Sequence, residues 1–194
     1  MLLLAAIAAP AARADGDPAS DYLITQPAFL PFDAHVDKTS AGELSGLLSA
    51  AKKGGFEVRV AVISSKVDLG AVPVLYRKPK TYARFLGQEL FYWYKHELLV
   101  VMPNGYGVYR HGLAPAADQR AVDALPPPGS TSGTVLVRAA SRAVRALARQ
   151  NGVTLPAVSA SGGSSSNDDR IVIAAAAAGA ALLAAGFIYL RRPR

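Results

Sequence analysis

Apolar and polar positions follow two different rhythms along the middle of the chain. Through residues 40–53 the apolar side chains recur at helical spacing, with Leu44, Leu47, Leu48 and Ala51 on one face, and the run stops at Gly54-Gly55. Ser40 and Glu43 stand at capping-box spacing and predict where that helix starts. The rhythm then changes to a period of two: Phe56, Val58, Val60 and Val62 alternate with Glu57 and Arg59 before the run turns wholly apolar at Ile63. This predicts a strand in the centre of a sheet. Pro79 opens a second helical stripe through Tyr82, Phe85, Leu86, Leu90 and Trp93, with Tyr92 and Tyr94 elsewhere on its surface. Residues 98–102 (LLVVM) are too few for a helix and predict a buried strand. The turn Pro103-Asn104-Gly105 lets residues 106–109 return beside it as a hairpin. Ahead of all these, residues 28–32 (AFLPF) predict a short strand that Pro31 confines to an edge or an end. Helices over 115–125 and 132–150 close the body. Strand, helix, strand, helix, strand predicts the α/β class: a mainly parallel four-stranded sheet covered on both faces.

Two apolar segments break the rhythm. Residues 2–9 (LLLAAIAA) followed by Ala12-Arg13-Ala14 fit a signal peptide over 1–14, cleaved before Asp15. The basic residues that usually precede such a core are absent, which leaves room for a start upstream of Met1. The second segment, residues 171–190, runs 20 residues without a charge and matches the roughly 30 Å hydrocarbon core as a transmembrane helix. Asp168 and Asp169 precede it, and Arg191, Arg192 and Arg194 follow it. The positive-inside rule then puts the C-terminus of residues 170–194 in the cytoplasm and the body outside it, on the cell membrane as a single-pass protein. Between body and span, the Ser/Gly-rich residues 157–169 hold too little apolar surface to fold and predict a tether reaching about 20 Å. One domain over residues 15–156 remains, a suitable length for a single core.

Charge supports this division. The net charge of +7 invites a nucleic-acid reading, but residues 15–169 hold 16 lysines and arginines against 14 acids, leaving +2. The other five cations flank the apolar segments, so they point to a membrane and away from nucleic acid. The lack of cysteine excludes disulfides, thiolate metal sites and thiol catalysis.

The amphipathic helix, Gly-Gly and FEVRVAVI strand of residues 44–63, together with Tyr82-Ala83, the LLVVM strand with its glycine hairpin and the closing helix, resemble the TPM domain family over residues 21–150. The resemblance implies an α/β/α sandwich in an exported bacterial protein anchored by one transmembrane helix. It implies one of two activities: a binding, accessory or assembly factor of an envelope or membrane complex, or a divalent-metal-dependent phosphatase hydrolysing phosphomonoesters. The sequence departs from the family pattern at three places. Trp93-Tyr94-Lys95-His96 stands where members carry Trp-Gly-x-Gly, the Gly-Leu-Glu after the hairpin is absent, and the acidic opening is reduced to Asp33-Ala34-His35.

Ligands of parallel sheets sit beyond the carboxyl ends of the strands. Asp33, His35 and Asp37 follow the first strand, and Asp68 follows the second. If these strands are neighbours, the four side chains form a candidate metal site whose oxygen ligands suit calcium or magnesium. The alternative is that Asp33 and Asp37 are loop acids and Asp68 caps a turn before Leu69-Gly70. His96 and His111 have no partner at ligand spacing and read as solvated loop residues. Arg138, Arg142, Arg145 and Arg149 form a basic stripe with no acid between 131 and 151 to pair with them, opposite an apolar face of Leu136, Ala140, Ala143 and Leu147. Such a stripe suits anionic lipid or an acidic partner, or simply water.

Overall fold

The computed structural model describes residues 16–112 and 115–156, all within one compact unit, Met1–Val158. The signal peptide, the tether and the membrane span read from the sequence lie outside the described residues. Among the described residues no helix is long and apolar enough to cross a membrane.

A helix unread in the sequence comes first, α1 (Pro18–Thr25), with Asp17 as its N-cap. It is followed by β1 (Ala28–Phe29), α2 (Lys38–Lys53), β2 (Val58–Val62), α3 (Pro79–Glu89), β3 (Glu97–Met102), β4 (Gly105–Tyr109), α4 (Ala116–Asp123) and α5 (Gly133–Gln150). The strands pair in sequence order: β1 to β2 and β2 to β3 parallel, β3 to β4 antiparallel. The mixed α/β fold and the mainly parallel four-stranded sheet are as the sequence predicts.

Strand alternation sorts the core into two clusters. Val58, Val60, Val62, Leu99, Val101, Tyr106 and Val108 pack with α2, α4 and α5. Ala61, Ile63, Leu98, Val100 and Met102 face the other way, onto α1 and α3. Helices therefore cover both faces, and β2 and β3 are apolar on both sides because neither side meets water. Two glycines bring α3 and β4 together. A Cβ on Gly107 would lie 2.0 Å from the Pro79 carbonyl oxygen, and one on Gly87 would lie 2.0 Å from the Tyr109 ring.

Several details differ from the sequence reading. The first strand has two residues instead of five; Pro27 and Pro31 bracket it, and so short an edge offers little for another chain to pair with. The helix expected to start at Ser40 starts at Lys38, because Asp37 is the N-cap and accepts the Ser40 amide at 2.7 Å. The third helix stops at Glu89, before the apolar stripe expected to continue to Trp93. Trp93 is consequently exposed instead of packed.

Candidate functional site

The acidic site expected beyond the strand ends does not assemble. The strands are neighbours as required, but the loops that follow them are drawn to opposite faces of the sheet. Asp68 sits in a 3-10 turn (Val67–Leu69) whose Leu69 joins the α1 and α3 side of the core. The 33–37 loop instead crosses the start of α5. There the Asp37 amide donates to Thr134 Oγ1 at 3.0 Å, and Gly133 leaves no room for a Cβ beside the Ala34 and His35 carbonyls. Asp33 and His35 are exposed.

Asp68 is fully buried and its carboxylate is occupied by its own chain. Oδ1 accepts the Phe32 amide at 3.0 Å; Oδ2 accepts the Ser64 amide and hydroxyl, each at 2.8 Å, and the Ser65 amide at 3.0 Å. It pins the end of β1 to the end of β2, which is the turn-capping alternative in an extended form. Asp37 caps α2. The Ser40 amide, then its hydroxyl, hold its carboxyl below the usual carboxylate range, with smaller help from Thr134 and Arg138. Among the described residues no group of three or more acids and histidines stands close enough to hold a metal ion.

The arginine stripe is also partly used inside the fold. Arg138 donates from Nε to Ser40 Oγ at 3.1 Å and lies 3.8 Å from Asp37 Oδ2, so its acidic partner is the N-cap of α2, about a hundred residues away along the chain. Arg145 donates to the Pro156 carbonyl oxygen, holding the outgoing chain against α5. Arg142 and Arg149 are exposed. The opposite face of α5 is buried as expected.

A polar site that the sequence reading passed over lies at the other end of the sheet, where β2 and β3 begin. Glu97 opens β3 with its side chain wholly buried. Its Oε2 accepts Arg110 Nε at 2.6 Å, while Oε1 is buried with no hydrogen-bond partner among the described residues. Arg110 also donates to Asn151 Oδ1 at 3.0 Å and lies 3.8 Å from Asp118, which accepts Asn151 Nδ2 at 2.8 Å. Burial pushes the Glu97 carboxyl up to about 7, against the pull of the Arg110 guanidinium. A recess of about 260 Å³ opens here between Gly55, Glu57, Lys95, His96, Glu97, Arg110 and Asn151. His96 is exposed at its rim; His111, expected to be solvated, is half-buried and packs edge-on against Phe91 at 4.5 Å. The signal in the sequence is the glutamate that immediately precedes LLVVM: an acid entering a fully buried strand needs a partner.

A second buried acid lies in the opposite core cluster. Tyr82 donates its hydroxyl to both oxygens of Asp17, at 2.7 and 2.9 Å, and burial pushes the Asp17 carboxyl up to about 6. With the Ala19 amide as a second donor to Asp17, this pair docks α1 onto α3.

Comparison with protein families, curated proteins and solved structures finds no match to the chain.

Proposed function

We propose that the chain is a TPM-like domain, an α/β/α sandwich, held outside the cytoplasm by the span at 171–190, and that it acts by binding, as an accessory or assembly factor of a membrane complex. The observation that carries this reading is the position of the polar recess. Asn151, one residue beyond α5, is part of its wall, so the recess lies at the end of the domain from which the chain continues into the proposed tether. A contact there meets a partner in the same membrane at no cost in reach. The recess presents exposed Lys95 and His96 beside Glu57, Arg110 and Asn151, and so suits a polar segment of a protein with both donors and acceptors.

Photo-crosslinking in the cells that make the protein tests this. A photoreactive residue replacing exposed His96 is expected to capture one membrane protein, whereas the same residue replacing exposed Asp33 at the far end of the strands captures none. Capture only from position 33 would move the contact surface to the other pole. Turnover of a phosphomonoester by the purified full chain, dependent on calcium or magnesium, would replace the binding reading with the phosphatase.

A further inference from the structure

From the exposed aromatic pair beside the recess, we infer that Tyr92 and Trp93 form a second, fixed contact with the bilayer, seated in the headgroup layer. The inference rests on the proposed membrane tether. Tyr92 is 85% exposed and Trp93 67%, the first and third most exposed of the large hydrophobic side chains among the described residues. They stand side by side on a rigid turn. Leu90 and Tyr94 on either side are buried, and the Trp93 and Tyr94 amides both donate to the Leu90 carbonyl, at 2.9 and 2.8 Å. Tyr94 is anchored further by its hydroxyl, which donates to the Glu97 carbonyl at 2.7 Å, and by Arg59 stacked 4.2 Å from its ring centre. Phe91 holds the base of the turn between Tyr92 and His111. The two outward rings are therefore presented by the fold, not left over by a floppy loop.

The surroundings match an interfacial site. Tyr and Trp favour the boundary between headgroups and acyl chains, where an apolar ring and a polar N–H or O–H are both satisfied. The turn leads directly into β3, at the same pole as the ends of α2 and α5. Exposed Lys52, Lys53, Lys95 and Arg149 lie there, near enough to meet anionic headgroups; exposed Glu89 is the opposing charge, and Glu57 is paired with Lys52 at 3.3 Å. The chain leaves the described residues at Pro156, held by Arg145 alongside the last turns of α5. The proposed tether of residues 157–169, with the reach of about 20 Å that its composition predicts, would keep this pole within touching distance of the membrane. Two exposed rings, with Lys53, Lys95 and Arg149 beside them, then give the domain a preferred orientation, with the polar recess held close to the membrane surface.

Trp93 is the single tryptophan, so its fluorescence reports this contact without any substitution. The full chain is reconstituted in vesicles of phosphatidylcholine and phosphatidylglycerol, and its membrane insertion is scored by flotation after alkaline extraction. The expected result is flotation together with loss of about half the Trp93 emission when the lipids are brominated near the carbonyl end of the acyl chains, and a smaller loss with bromine near the methyl end. Flotation with emission unchanged by either lipid, and still open to quenching by aqueous iodide, would overturn the aromatic contact and leave the tether standing. Failure to float would overturn the tether, and the contact with it.

Discussion

Glu97 shows how much one residue can set. A carboxyl lifted from 4.5 to about 7 by burial binds its proton more tightly in the folded chain than in the unfolded one. Between those values the folded state holds more protons, so raising the pH across this window removes stability. Glu97 alone is worth about 3 kcal/mol over the whole window, and Asp17, lifted from 3.8 to about 6, adds a loss of the same sign at lower pH. The urea midpoint of the full chain is therefore expected to fall steadily from pH 5 to pH 8, and Glu97→Gln to flatten the upper part of that fall. A midpoint that rises over the same range would mean that Arg110 outweighs burial and Glu97 is charged throughout. This residue was legible only as an oddity, an acid in front of LLVVM. Its partner Arg110, and the Asp118 and Asn151 that hold Arg110 in turn, come from three later parts of the chain, and no local spacing links them. Asp68 is the converse case, where the turn-capping alternative is the one that holds. Its position after a strand end looked like a ligand's, but nothing in the sequence shows that the Phe32, Ser64 and Ser65 amides converge on it.

At the scale of elements the sequence carried further, because burial on both faces leaves an imprint that periodicity reads directly. β2, β3, the hairpin and the closing helix fall where the alternation puts them. The failures are at ends. A cap is chosen by a side chain's reach to a particular amide, so Asp37 displaced the equally plausible Ser40. Spacing alone carries the α3 stripe on to Trp93, because it does not distinguish a packed ring from an exposed one. α1 was missed because its buried side is narrow, chiefly Ala19, Ser20 and Leu23. The contact between α3 and β4 gives a test of opposite signs. Gly107→Ala puts a methyl group into the Pro79 backbone, which cannot move without shifting the first turn of α3. It is expected to cost about 3 kcal/mol and roughly 10 °C in Tm. Gly42→Ala, inside α2 with open space where the methyl group would go, is expected to gain up to about 1 kcal/mol. Thermal unfolding of the two variants side by side checks both, and equal effects would mean that the close approach of α3 to β4 is not as described.

At the scale of the whole molecule, the proposed function turns on which pole would face the membrane. An α/β sheet usually places chemistry beyond the carboxyl ends of its strands. Here Asp68 fills the space beyond β1 and β2, while the recess around Glu97, the exposed Tyr92 and Trp93 and the end of α5 gather at the opposite pole. The proposed membrane attachment rests on residues 1–14 and 171–190, which are read from the sequence as composition alone, since insertion depends on length, apolarity and flanking charge instead of on packing. Topology is consequently the central claim, and the absence of cysteine makes it directly measurable. Single cysteines are introduced as Thr131→Cys, at an exposed site before α5, and as Arg194→Cys, and spheroplasts are treated with a membrane-impermeant maleimide. Labelling at position 131 in intact spheroplasts, with labelling at 194 only after lysis, is the expected result. Protection of position 131 until lysis would place the body in the cytoplasm and contradict the account.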